Sequence, residues 1–210
     1  MEQKLIWDNR YSSIKHNSQS SEWVEKYRKY FREKKERAII DLGCGKGDNS
    51  YHLINAGYSN IIACDFSPVA IEYINKTYPT IETRCFDMIN EFPGDIKNVG
   101  VVLASLSTHY FSMNDTVKLY RNIYDILEPT GYFIFRVNGK KEFENNDKNN
   151  IHSVIENDYY LLNDGTTKRY FDIDSISALL KSFLIVDVHE TDSKYHGQTK
   201  YYVEGIAQKV

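Results

Sequence analysis

The ten residues from Ala38 to Gly47, Ala-Ile-Ile-Asp-Leu-Gly-Cys-Gly-Lys-Gly, constrain the fold more than any other stretch of this chain. Ala38, Ile39 and Ile40 suit a strand buried on both faces. Three glycines at alternate positions then let the backbone turn tightly and approach a ligand closely, because no Cβ stands in the way. Asp48, Asn49 and Ser50 open the next helix, whose free N–H groups can receive an anionic group. Nucleotide cofactors of several kinds use such a turn, and Asp41 narrows the choice. A carboxylate two residues before the first glycine repels a dinucleotide pyrophosphate and attracts a cofactor bearing an ammonium group.

S-adenosylmethionine carries an ammonium, a carboxylate and a sulfonium, and no phosphate. Asp41-Leu-Gly-Cys-Gly-Lys-Gly47 resembles the first motif of class I S-adenosylmethionine-dependent methyltransferases. The resemblance implies a doubly wound, mostly parallel Rossmann-like α/β sheet with helices on both faces and an antiparallel last strand. It places Asp41, Gly43, Cys44 and Gly45 at the cofactor. Trp7-Asp-Asn-Arg-Tyr11 followed by Glu22-Trp23 is similar to the start of several such enzymes, where this segment covers the cofactor pocket. That assigns Trp7, Tyr11 and Trp23 to the cofactor as well.

With 210 residues the chain has enough length for a continuous core, and we expect one domain over 1–210. Net charge is −3, which argues against a broad, salt-dependent hold on nucleic acid. The basic stretch from Lys26 to Arg37 reads as a solvated helix face. Cys44, Cys64 and Cys85 form no C-x-x-C pair, so neither a disulfide framework nor a zinc site is expected. No charged-then-apolar leader is visible, and the longest apolar run, Val99 to Leu106, is too short to span a bilayer. The expectation is a cytoplasmic protein, monomer or homodimer, without membrane or nucleic-acid partners.

In chain order, residues 1–19 read as a polar arm, and Ser20 or Ser21 caps a helix to about Glu36 with Trp23, Val24, Tyr27, Tyr30 and Phe31 on its apolar face. After the glycine turn a helix runs to Gly57. Asn60 to Asp65 is the second strand, and Asp65 lies 18 residues past Gly47, close to the roughly 20 at which an acidic residue binds ribose hydroxyls; Phe66 follows it. Ser67-Pro68 starts the next helix. Ile81 to Phe86 is the third strand and ends at Asp87-Met88, which by the same resemblance meets adenine. Val99 to Ser105 is the fourth strand, Tyr132 to Val137 the fifth. The segment from Ser105 to Phe111 leaves the carboxyl end of the fourth strand, where ligands sit in open α/β sheets, so Ser105 joins the cofactor set. Residues 138–170 are polar and poorly periodic, and we expect them to act as a substrate lid. Asp172 or Asp174 caps a helix over Ile173 to Lys181. Phe183 to Val188 and Lys200 to Gln208 close the sheet as two strands joined through 189–199.

Methyl transfer from a sulfonium is an in-line displacement that needs alignment above all, and a base only when the nucleophile carries a proton that must leave. His109 is the candidate base. The fourth strand ends Ala104-Ser-Leu-Ser107, which is not the Asp/Asn-Pro-Pro-aromatic signature of enzymes that methylate exocyclic amines of bases. No cysteine follows a proline, and no strand-end aspartate is placed for a metal. The pattern from Asp41 to Gly57-Tyr58 is similar to the small-molecule methyltransferases of the tellurite-resistance and thiopurine groups, so the expected acceptor is a small molecule. A protein-lysine methyltransferase and a non-catalytic S-adenosylmethionine-binding domain stay open as alternatives; Asp41 and the glycine spacing disfavour a nucleotide-dependent oxidoreductase.

Overall fold

A computed structural model describes residues 2–13, 22–90, 92–195 and 197–210. Its centre is β1 (Ile39–Leu42), every residue of which is buried. Beside it run β2 (Ile61–Asp65) and β4 (Val99–Ser105), both parallel to it, and beyond them β3 (Glu82–Cys85) and β5 (Leu127–Asn138). The seven-stranded order is β3-β2-β1-β4-β5-β10-β9, where β9 is Phe183–Tyr195 and β10 is Gln198–Lys209. β10 runs antiparallel to both of its neighbours. The sheet is thus mostly parallel with an antiparallel last strand, a Rossmann-like methyltransferase fold.

Alternation along the central strands divides two cores. Ile39, Val101, Leu103 and Ile134 pack on one face with Trp23, Val24, Tyr27 and Phe31. Ile40, Leu42, Val102, Phe133 and Phe135 pack on the other with Leu119, Tyr120 and Ile123. The first covering layer comes from α2 (Glu22–Glu25), α3 (Arg28–Glu33) and α4 (Asp48–Asn55), and the second from α6 (Met113–Ile126) and α8 (Ile173–Leu179). Burial on both faces is what a continuous apolar strand demands. Ser67 caps α5 (Pro68–Thr77), and Asp172 caps α8 with a reciprocal Ser175 bond.

The structure departs from the sequence reading in four places. The expected arm begins as α1 (Glu2–Ser13), a helix. The expected helix from 20 to 36 is two short helices, because the chain tightens at Lys26 and Tyr27; its proposed caps, Ser20 and Ser21, lie outside the described residues. This break sets the Lys26 ammonium 2.6 Å from the buried Glu204. Pairing in the last hairpin continues through Lys194–Thr199 and Tyr195–Gln198, so 189–199 is strand rather than a connecting loop.

Residues 138–170 differ most. They hold α7 (Lys140–Glu142), a π turn over Phe143–Asp147, and a separate antiparallel sheet of β6 (Ile151–Glu156), β7 (Tyr159–Leu162) and β8 (Thr167–Arg169). Buried carboxylates order this segment where apolar periodicity is missing. Glu142 accepts from Lys200 Nζ at 2.7 Å, Asn146 Nδ2 at 2.7 Å and the Tyr201 N–H at 3.0 Å. Asp147 accepts from Lys168 Nζ at 3.0 Å and Tyr170 Oη at 2.6 Å.

Candidate active site

The glycine turn forms the floor of the site. Gly43, Gly45 and Gly47 all have positive φ (73°, 53° and 83°), a region that side chains disfavour. At Gly43 there is a second reason for glycine, since a Cβ there would stand 2.3 Å from Ser107 Cβ. Ser107 donates from Oγ to the Leu42 carbonyl at 2.6 Å, tying the segment after β4 to this turn. Leu106 sits between them at φ 56°, unusual for a bulky residue. Strain of that kind gathers at functional sites.

Asp65 stands at the end of β2, almost fully buried. Oδ2 accepts from the Gly45 N–H and Oδ1 from the Ser67 N–H, each at 2.9 Å. Burial raises its pKa, against the lowering pull of those backbone donors. A carboxylate has about four acceptor sites, so Asp65 keeps acceptor capacity for a ligand hydroxyl. Asp87, at the end of β3, accepts from the Ile89 N–H at 3.2 Å.

Helix α1 crosses the opening. Its Trp7 and Tyr11 lie one turn apart on one face, ring centroids 5.7 Å apart. Asp8 accepts from the Ser67 hydroxyl at one end. Arg10 pairs with Asp164 at 2.6 Å, and Gln3 Nε2 donates to the Gly165 carbonyl at 2.7 Å, both in the turn between β7 and β8. Trp7 also meets Tyr110 edge-on at 5.1 Å. The helix therefore joins the cap of α5 to the small sheet.

These elements enclose a cavity of about 1510 Å³. Ligand pockets run to about 300–1,000 Å³, so there is room for a cofactor and part of a second ligand. Gly43, Cys44, Gly45, Asp65 and Phe66 line it, as do Asp87, Met88 and Ser105. Trp7, Tyr11 and Trp23 line it from the N-terminal side. Eleven residues named from the sequence thus meet at one cavity. The glycine floor and the two strand-end carboxylates fit S-adenosylmethionine.

Two named residues do not reach the cavity surface. Asp41 is buried beneath the turn, where Oδ2 accepts from the Ser50 N–H at 3.1 Å and Ser50 Oγ at 2.7 Å. It anchors the start of α4, and burial pushes its carboxyl up to about 6. His109 is buried behind the wall, its ring 4.3 Å from that of Tyr110. Burial pushes its imidazole down to about 3, with a further downward effect from the Lys168 charge. His109 is held neutral at physiological pH and does not line the cavity.

Sequence reasoning expected residues 138–170 over the substrate but named neither their cavity residues nor any on β5. Tyr159 and Thr167 line the cavity. The sheet grips three successive carbonyls after β4: the Arg169 N–H donates to His109 O at 2.7 Å, Thr167 Oγ1 and Tyr159 Oη to Tyr110 O at 2.8 and 3.0 Å, and Arg169 Nε to Phe111 O at 3.2 Å. Arg136, near the carboxyl end of β5, also lines the cavity. Its pairing with Glu204 on β10 becomes visible only once the strand order is known.

Residues 39–131 match a family model described as a methyltransferase domain. The tRNA N(3)-methylcytidine methyltransferase trm141 of Schizosaccharomyces pombe is 26% identical over 154 residues, covering 69% of this chain and 62% of that protein. The human tRNA N(3)-cytidine methyltransferase METTL6 is 28% identical over 158 residues, covering 70% and 54%. The chain therefore spans little more than half the length of the curated relatives it matches. A SAM-dependent methyltransferase from Anabaena variabilis shares the fold with a TM-score of 0.77 at 15% identity, covering 100% of this chain and 94% of that one. TehB from Haemophilus influenzae does so with a TM-score of 0.63 at 14% identity, covering 91% and 67%.

Residues 39–131 thus match a methyltransferase domain, the fold is that of the Anabaena variabilis enzyme, and the cavity fits S-adenosylmethionine. The relatives overturn the expectation of a small-molecule acceptor with no nucleic-acid partner. The small-molecule expectation follows from a resemblance that is specific for cofactor and fold and loose for substrate, and the two features that argue against nucleic acid are narrower than they look. Net charge governs a broad electrostatic track and says little about one nucleotide drawn into a pocket. The missing Pro-Pro-aromatic signature concerns exocyclic amines, whereas N3 is a ring nitrogen. Among the described residues, no helix is long and apolar enough to cross a membrane.

Proposed function

We propose that this protein transfers the methyl group of S-adenosylmethionine to tRNA, with N3 of cytidine as the acceptor atom. The observation that carries this reading is the sequence relation to two tRNA N3-cytidine methyltransferases over more than two thirds of the chain. The chemistry of the site agrees with it. In neutral cytosine N3 holds an in-plane lone pair and no proton, so no base is required. A wall without a titrating histidine is sufficient for such an acceptor.

In this reading Asp65 receives the ribose hydroxyls and Asp87 the adenine amino group, with Phe66 and Met88 against the base. Gly43, Cys44 and Gly45 let the backbone approach the amino-acid end. When bound, S-adenosylmethionine supplies a methyl group made electrophilic by its sulfonium. Ser105 and the strained Leu106 set the wall opposite, and Trp7, Tyr11, Tyr110 and Phe111 offer aromatic faces. Stacking on such faces is worth about 1–3 kcal/mol per base. Holding nucleophile and methyl in line supplies on the order of 7–11 kcal/mol. Residues 138–170 act as the lid over the acceptor through Tyr159 and Thr167. A cytoplasmic location, where tRNA is met, accords with three free cysteines.

The test is incubation with labelled S-adenosylmethionine and unmodified tRNA transcripts, followed by nucleoside digestion and mass spectrometry. The expected product is 3-methylcytidine. No label in any transcript, with cofactor binding intact, would refute the proposal.

A further inference from the structure

Arg136 is held on three sides. Its guanidinium carbon lies 4.8 Å from the Trp23 ring centroid and 4.7 Å from that of Tyr202, and Nε donates to Glu204 Oε2 at 2.9 Å. Glu204 is fully buried and also receives the Lys26 ammonium at 2.6 Å. In the sheet register Arg136 pairs with Ser105, and its carbonyl accepts from the Leu106 N–H at 2.8 Å. The side chain therefore stands next to the strand end where the acceptor atom must come.

A guanidinium has five N–H donors in one plane. One is used by Glu204, and no described residue accepts from Nη1 or Nη2. The Trp23 and Tyr202 rings pack against the guanidinium, and its terminal nitrogens keep N–H donors for a ligand. A flat pair of oxygens on an anion matches that planar fork bidentately. Lys26 and Lys194 line the same cavity. Counted with Asp192, which lines the cavity with Lys194, the three cations Lys26, Arg136 and Lys194 exceed the two carboxylates Glu204 and Asp192 by one. An anionic ligand is favoured there over a neutral one.

We propose that Arg136 clamps a phosphodiester of the RNA beside the nucleotide being methylated, with Trp23, Tyr202 and Glu204 holding its guanidinium in position. The proposal rests on the tRNA reading above and adds the group that holds the backbone. It also moves Trp23 to the boundary between cofactor and acceptor, since its ring packs on the acceptor-side cation.

The experiment measures binding of an unmodified full-length tRNA transcript across a salt series, with S-adenosylhomocysteine present, for wild type, Arg136→Gln and Arg136→Lys. S-adenosylhomocysteine affinity of each variant is measured beside it. Loss of the fork in Arg136→Gln should weaken RNA binding roughly 10- to 100-fold, the range for charge-assisted hydrogen bonds. It should also reduce the slope of log K against log salt by about 0.7, the value for one single-strand phosphate contact. Arg136→Lys should restore the slope and only part of the affinity, because it keeps the charge without the fork. Cofactor affinity should not change. Unchanged RNA affinity and slope in Arg136→Gln would overturn the clamp and leave the tRNA reading standing. Joint loss of RNA and cofactor binding would also overturn it, by making Arg136 a support of the cavity alone. A wild-type protein that does not bind the transcript would remove the tRNA reading and the clamp with it.

Discussion

Replacing Asp41 by Asn removes a titrating group from beneath the glycine turn and changes how stability depends on pH. The carboxyl is fully buried, and its pKa rises from 3.8 to about 6 chiefly by desolvation. The folded protein then keeps this proton in a pH range where the unfolded chain has lost it. Stability contributed by this group is greatest in acid and is lost as pH rises from about 4 to about 6. Two pKa units correspond to about 3 kcal/mol in all, of which about 2 kcal/mol falls between pH 4.5 and 7.5. Asn keeps an oxygen for the Ser50 N–H and hydroxyl and does not titrate. Urea unfolding of both proteins at pH 4.5, 6 and 7.5 gives the comparison, since titrations elsewhere cancel in the difference. The variant should gain about 2 kcal/mol on wild type over that range, whatever the fixed offset from the new amide. A difference independent of pH would refute the reasoning. S-adenosylhomocysteine binding should survive in Asp41→Asn, and its loss would return Asp41 to the cofactor.

Gly43→Ala places a Cβ against Ser107 and forces a left-handed backbone on alanine, so it should cost about 2–4 kcal/mol by urea unfolding and abolish cofactor binding. His109→Gln should leave the shape of the pH profile of kcat unchanged between pH 5 and 9; an acidic limb present in wild type and lost in the variant would make His109 the base. Because its folded pKa of about 3 lies below the usual 6.5, the histidine's contribution is lost on acidification, and wild type should lose about 2 kcal/mol relative to this variant between pH 7 and 5.

The central fold was legible because its signals are local. Ile39 and Ile40 before three glycines, Ser67-Pro68 and Asp172 each specify a neighbouring conformation, and all were found where expected. Asp65 and Asp87 were legible for the same reason, as strand-end carboxylates at set distances from the turn. Asp41 and His109 show the limit of that logic. Their positions along the strands were right, but which side of the strand end a side chain takes depends on α4 and on the small sheet. Residues 138–170 were illegible because Glu142 and Asp147 order them through partners far along the chain. Arg136 was invisible because its meaning lies in Glu204, which only the antiparallel placement of β10 brings beside it.

The small sheet holds the segment after β4 by the carbonyls of residues 109, 110 and 111. Every amino acid supplies that carbonyl. The side chains at these three positions can therefore be exchanged while the attachment stays the same. An acceptor wall built this way separates what the pocket recognises from how it is mounted, and selection can retune the first without rebuilding the second.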